Sequence, residues 1–92
     1  MPLSERIIVG LSYPMDLPKI VGDNVRGFRT QQGLTREELC ERANINLNHL
    51  GAIERGEENV TLETLGKLGI ALGIEPYAFL TRDCFRWGLK KN

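Results

Sequence analysis

Residues 33 to 56 read GLTREELCERANINLNHLGAIERG, and they contain several signals for the ends of helices. The stretch opens on a capping box, because the Thr35 hydroxyl can accept from the backbone N–H of Glu38 while the Glu38 carboxylate reaches back to Thr35. Asn44 follows at the point where the chain must reverse, and asparagine tolerates the left-handed conformation better than most residues. The stretch therefore predicts two short helices joined by a tight turn, at 35–43 and 47–55.

The second of these helices has two chemically different sides. Asn46 can cap its first turn, and Leu50 and Ile53 form its buried side. Helical spacing places small and polar residues on the opposite side, namely Leu47, Asn48, Gly51 and Ala52. Two short helices with a tight turn and an exposed second helix are the arrangement that fits the DNA major groove.

Residues before this stretch form an arm and a first helix. Residues 1–19 contain Pro2, Pro14 and Pro18, and apolar residues alternate through 7–13, which suits an extended arm or a short strand. From residue 20 the apolar spacing becomes helical, with Gly33 placed to end the helix. Its predicted core-facing residues are Ile20, Val21, Val25 and Phe28.

Two further helices and a tail are predicted after residue 56. Thr61 can cap a helix over 62–72 that Gly73 ends, with an apolar stripe of Leu62, Leu65, Leu68 and Leu72. Pro76 suits the first turn of a fifth, short helix through Leu80. The chain thus divides into an N-terminal arm, a helical domain and a C-terminal tail, at 1–19, 20–82 and 83–92. Alternating apolar residues in 7–13 and 85–89 predict that the two ends cover the core or build a dimer interface.

Composition restricts the class of protein. The 92 residues make one domain, with 41% hydrophobic and 26% charged residues, as in ordinary soluble proteins. No apolar run approaches the length that spans a bilayer, so we expect a cytoplasmic protein with no membrane partner. Net charge is zero, but bases predominate in 1–36 and 76–92 and acids in 37–75. DNA affinity is therefore expected to be modest and strongly dependent on salt.

No pattern in the chain indicates catalysis or a cofactor. Cys40 and Cys84 are too few and too far apart for a metal or redox motif, and both are expected to be reduced. His49 is the only histidine, so an exposed or backbone-contacting role outweighs metal binding. Cys40 is expected to pack in the core, with redox sensing as the alternative. We predict that the protein is not an enzyme and has no cofactor or metal.

The order of motifs resembles the phage repressor/Cro-like (XRE-type) helix-turn-helix family. The motifs are the capped second helix, the Ile-Glu-Arg-Gly end of the third helix at 53–56, and the segments at 59–65 and 71–74. The resemblance extends from about Val21 to Leu80. It implies an all-α, five-helix lambda-repressor-like DNA-binding domain, here with an extended N-terminal arm and a short C-terminal tail.

The resemblance also implies roles for particular residues. Helix 35–43 would cross the DNA backbone, and helix 47–55 would enter the major groove. Base contacts would come from Asn46, Leu47, Asn48, Gly51 and Ala52, with Asn48 suited to adenine. Phosphate contacts would come from Arg36 and Arg55, and Arg29 and Glu54 would form a structural ion pair. For Asn48, Arg36 and Arg55, solvated surface residues are the alternative interpretation.

Some positions depart from the family pattern. Cys40 and Asn44 replace the usual alanine and glycine, and the acidic pair Glu57-Glu58 follows the third helix.

We predict a transcriptional regulator that binds a palindromic operator on double-stranded DNA as a homodimer. The alternative is a protein-interaction module, such as an antitoxin that binds a partner protein and represses its own operon.

Overall fold

The structure is a computed structural model that describes residues 16–81. It contains four α-helices and a short 3-10 helix, η1, and residues 16–81 include no strand. The elements are α1 (Leu17–Gln31), α2 (Arg36–Ala43), α3 (Leu47–Glu54), α4 (Leu62–Leu72) and η1 (Pro76–Leu80). The predicted all-helical class is confirmed, and the predicted count of five α-helices is wrong.

The fifth predicted helix is the 3-10 helix η1. Its backbone bonds join residues three apart, with the Ala78 amide donating to the Glu75 carbonyl oxygen at 2.9 Å and the Thr81 amide to the Ala78 oxygen at 3.3 Å. The segment has only five residues, and Glu75 makes no side-chain cap. A run this short closes the tighter i→i+3 bonds readily, whereas a capped α-helix needs a longer stretch.

Helix α1 begins three residues earlier than the sequence pattern predicts. The Asp16 side chain accepts from the Lys19 amide at 3.2 Å and Pro18 lies in the first turn, so Leu17 starts the helix. The predicted extended segment 7–13, the tail 83–92 and Cys84 lie outside the described residues. The three-part division of the chain therefore stays a proposal.

Local sequence signals fix the other helix ends as predicted. Thr35 and Glu38 form a complete capping box, with Thr35 Oγ1 accepting from the Glu38 amide at 3.0 Å and Glu38 Oε1 from the Thr35 amide at 2.7 Å. Asn44 has φ 58° and ψ 51°, so the turn uses the left-handed conformation. Asn46 and Thr61 cap α3 and α4. These caps set the length of each helix in the pair α2–α3.

The core forms where all five elements meet. Its buried apolar residues are Val21, Val25, Phe28, Leu34, Leu39, Cys40, Ala43, Leu50, Ile53, Leu65, Leu68, Leu72 and Phe79. Leu62 was predicted in the stripe of α4 but is 85% exposed. It is the first residue of that helix, directly after the Thr61 cap, and its side chain points away from the core. Ile20 is only half-buried.

Two contacts of α1 hold the domain together across long sequence separations. A Cβ on Gly22 would overlap the Ile53 carbonyl oxygen, so a glycine is needed where α1 crosses the end of α3. Asn24 is 1% exposed, and its Nδ2 donates to the Phe79 and Thr81 carbonyl oxygens at 2.7 Å each. These bonds fasten η1 and the following Thr81 to α1.

Candidate nucleic-acid interface

The outer side of α3 carries most of the residues predicted to contact bases. Leu47 is 44% exposed, Asn46 and Asn48 are exposed, and Ala52 is half-buried. Asn46 Oδ1 accepts from the His49 amide at 2.6 Å, so this oxygen is committed to the helix cap. This outer side of α3 is small and largely apolar. Within the helix, Asn48 provides its exposed side-chain amide.

Gly51 differs from its predicted exposure. Helical spacing placed it opposite the core, among the predicted base-contacting positions, but it is buried. The Arg55 side chain lies beside it, with Nη1 3.1 Å from the position that a Cβ on Gly51 would occupy.

Arg29 and Glu54 form a buried ion pair between α1 and α3. Arg29 Nε donates to Glu54 Oε2 at 2.7 Å, and its Nη2 donates to Oε1 at 3.1 Å. Arg29 Nη1 also donates to the Leu34 carbonyl oxygen at 2.8 Å. The two side chains are only 10% and 2% exposed, so each charge depends on the other for the hydrogen bonds that water would supply.

Arg36 joins the same carboxylate from the first turn of α2. Its Nε donates to Glu54 Oε1 at 3.1 Å, while its side chain remains 51% exposed. The sequence reasoning missed this contact, since the resemblance pairs only one arginine with Glu54. The two arginines and one carboxylate carry a net positive charge, and Arg36 is the member of this set that faces solvent.

Arg55 pairs with the acidic residue two positions later. Arg55 Nε donates to Glu57 Oε2 at 3.1 Å, with both side chains more than half exposed. This hydrogen bond, and then the charge of Glu57, raise the pKa of Arg55. An exposed pair of this kind adds little to stability, so its consequence is the orientation of the guanidinium.

Cys40 lies in the core, as the packing interpretation predicted. Burial, followed by the carboxylates of Glu37 and Glu54, raises the pKa of the Cys40 thiol. The thiol therefore stays protonated at neutral pH and is a poor nucleophile. Among residues 16–81, no three His, Cys, Asp or Glu side chains lie close enough to hold a metal, and no helix is long and apolar enough to cross a membrane.

The pair α2–α3, its left-handed turn and the exposed outer side of α3 define a helix-turn-helix protein. A family model described as "Helix-turn-helix" matches residues 25–79, and the chain belongs to this family. The resemblance stated from the sequence is confirmed. The protein is a DNA-binding transcriptional regulator of the XRE type, in a family of regulators rather than enzymes.

Relatives of known sequence and structure support the same assignment. Control protein C.SmaI of Serratia marcescens is 40% identical over 78 residues, covering 85% of this chain and 88% of the relative. The restriction-modification controller protein C.AhdI of Aeromonas hydrophila is similar in structure, with a TM-score of 0.65 and 36% identity over 70% of this chain and 96% of that one. A hypothetical transcription factor from Neisseria gives a TM-score of 0.73 at 31% identity, covering 84% and 86% of the two chains.

Proposed function

We propose that the protein acts as a homodimer that reads a palindromic operator, with one copy of α3 in the major groove of each half-site. A single α3 offers one exposed amide and two apolar contacts, which discriminate weakly between sequences. Two copies on a two-fold axis would read half-sites about 34 Å apart. The likeness to a control protein and to a restriction-modification controller protein supports a role in controlling restriction-modification genes.

Asn48 is proposed to pair with adenine, and Leu47 and Ala52 to contact thymine methyl groups. Asn46 lies at the edge of this surface and uses its oxygen in the helix cap. Arg36 is proposed to contact a DNA phosphate. Its Nε is bound to Glu54, and its terminal nitrogens have no hydrogen bond to the rest of residues 16–81.

One observation carries the proposal: the buried Glu54 carboxylate at the end of α3 holds the half-exposed Arg36 of α2. Arg36, proposed to contact phosphate, and α3, proposed to contact bases, are thus joined by an ion pair in the free protein. A phosphate bound by Arg36 would therefore set the register of α3 on the groove. Little further ordering of this side chain is needed on binding, which favours affinity.

The proposed DNA contacts are tested by selecting bound sequences from a random DNA pool and measuring affinity for the selected operator. Arg36→Ala should weaken binding and lower the slope of log affinity against log salt by about one per protomer. Asn48→Ala should relax the preference at an A·T pair. Arg42→Ala, an exposed arginine in the last turn of α2, is the matched control and should retain more affinity than Arg36→Ala. Failure of the wild-type protein to select any sequence would overturn the proposal.

The surface proposed for dimerisation lies on α4 and η1. Leu62 and Ile70 are each 85% exposed and Tyr77 is 71% exposed, and exposed apolar patches rimmed by polar residues mark protein–protein contacts. Glu63 and Lys67 flank these residues with opposite charges, 3.9 Å apart. A second copy related by a two-fold axis can cover the apolar side chains and exchange these charged partners reciprocally. Such a dimer leaves α3 of both copies uncovered.

Ile70→Glu is expected to shift the protein from dimer to monomer, because a carboxylate would lie in the apolar contact. Sedimentation velocity at micromolar concentration measures the shift. Because Ile70 is exposed, the urea midpoint of the separated monomer should change little. Asn59→Glu, which adds the same charge at an exposed loop position, should leave the oligomeric state unchanged. An unaltered dimer in Ile70→Glu would place the interface elsewhere.

The antitoxin alternative depends on segments 1–18 and 83–92, which lie almost wholly outside the described residues. Co-purification of a stoichiometric second protein that is lost on deletion of either segment would support it. The co-purification separates the two functions, because an antitoxin that represses its own operon would also enrich an operator in the selection experiment above.

A further inference from the structure

We propose that Arg55 reads a guanine edge in the major groove, rather than gripping a phosphate as the family resemblance implies. The inference rests on the proposed function, since it assumes that the outer side of α3 faces the bases. Arg55 would supply the outer side of α3 with a long hydrogen-bond donor, which Leu47, Asn48, Gly51 and Ala52 do not provide.

The position of the guanidinium is the first observation. Arg55 follows Gly51 by four residues, so the two lie on the same side of α3 as Leu47. Apart from chain neighbours and the helix backbone, only Arg55 atoms lie within 4 Å of a Cβ built on Gly51, with Nη1 at 3.1 Å and Cζ at 3.9 Å. The side chain therefore folds back along the helix and covers the middle of its outer side.

Glu57 determines which nitrogens remain for a ligand. It accepts from Arg55 Nε at 3.1 Å, so the two terminal nitrogens form the remaining fork. Such a fork matches the O6 and N7 acceptors of guanine, which are the usual partners of arginine in the major groove. The carboxylate also fixes the plane of the guanidinium, as a preorganised base-reading group requires.

The charge of Glu57 favours a base over a phosphate as the partner. A phosphate bound to Arg55 would approach a carboxylate that already lies 3.1 Å from Nε, and Glu58 follows in the chain. Two anions competing for one cation repel each other. The carboxylate beside Arg36 differs, because Glu54 is also paired with Arg29. The guanine edge carries acceptors but no net charge, so it can share Arg55 with Glu57 at a smaller electrostatic cost.

Gly51 is the third member of this arrangement. The guanidinium occupies space that any larger residue at position 51 would fill, so Gly51 is proposed to act through Arg55 rather than by touching DNA. Gly51→Ala should move the flexible end of Arg55 while leaving its charge in place. Its effect should therefore appear in base preference more than in salt dependence.

Sequence selection with the full chain tests the inference. The wild-type protein should select G·C at one symmetry-related position, and Arg55→Ala should lose about tenfold to a hundredfold discrimination there while other positions keep their preference. Glu57→Gln and Gly51→Ala should weaken the same preference. The salt slope should fall less in Arg55→Lys than in Arg55→Ala, because lysine keeps the charge but loses the fork.

Arg36→Ala is the matched control, since it should weaken all sequences uniformly and lower the salt slope. If Arg55→Ala behaves in the same way and keeps every base preference, Arg55 contacts phosphate and the inference fails while the proposed function stands. If the wild-type protein selects no sequence, both fail. Urea midpoints close to wild type for Arg55→Ala and Glu57→Gln would show that folding is not the cause of either result.

Discussion

Replacing Glu54 with alanine will lower the free energy of unfolding by about 3–5 kcal/mol, because it leaves a buried guanidinium without its counter-charge. Arg29 is only 10% exposed and would lose two charge-assisted hydrogen bonds, at 2.7 Å and 3.1 Å. The Leu34 carbonyl oxygen would remain as its one partner among residues 16–81. The loss would approach the whole stability of a small domain.

Urea unfolding followed by circular dichroism measures this loss. Glu57→Ala is the matched control, since it removes a carboxylate from an exposed arginine pair and should cost at most about 1 kcal/mol. The double variant Arg29→Met/Glu54→Leu should be more stable than Glu54→Ala, because no charge is then buried alone. Equal unfolding midpoints for Glu54→Ala and Glu57→Ala would show that the buried pair does not stabilise the fold.

Phe79→Ala is expected to cost about 3–5 kcal/mol, although it lies in the short element η1 near the end of the described domain. Phe79 is fully buried, and its ring meets that of Phe28 edge-on at a centroid distance of 5.8 Å. Its removal would leave a cavity between α1 and η1 and weaken the adjacent carbonyl contacts of Asn24.

Leu80→Ala is the control for this prediction, because Leu80 is the next residue along and is 45% exposed. It should cost much less than Phe79→Ala in the same urea experiment, at the same protein concentration. Similar losses for the two variants would mean that η1 as a whole, rather than the ring of Phe79, stabilises the domain.

The local features of this fold could be predicted from the sequence. The capping box, the Asn44 turn and the caps at Asn46 and Thr61 each depend on a few neighbouring residues. Features that join distant segments could not. Asn24 bonds carbonyl oxygens 55 and 57 residues away, and no spacing rule marks it as buried.

The candidate site divides in the same way. Helical spacing predicted the exposure of Leu47 and Asn48, because spacing determines a helix face, while Ala52 is half-buried. Spacing could not predict that Gly51 is buried on this side, or that Nη1 of Arg55 lies 3.1 Å from the position of a Cβ there. The contact of Arg36 with Glu54 was also unforeseen, because it needs the crossing of two helices, which the sequence does not encode locally.

The residues that bond to Glu54 and stabilise the fold are different from the residues proposed to select the DNA sequence. Within residues 16–81, every hydrogen bond to its carboxylate comes from Arg29 or Arg36, and neither arginine lies on α3 itself. The exposed Leu47 and Asn48 and the half-buried Ala52 take no part in this bonding. Natural variants, or an engineer, can therefore exchange those three side chains to retarget the protein to new control sequences while the scaffold beneath them stays intact.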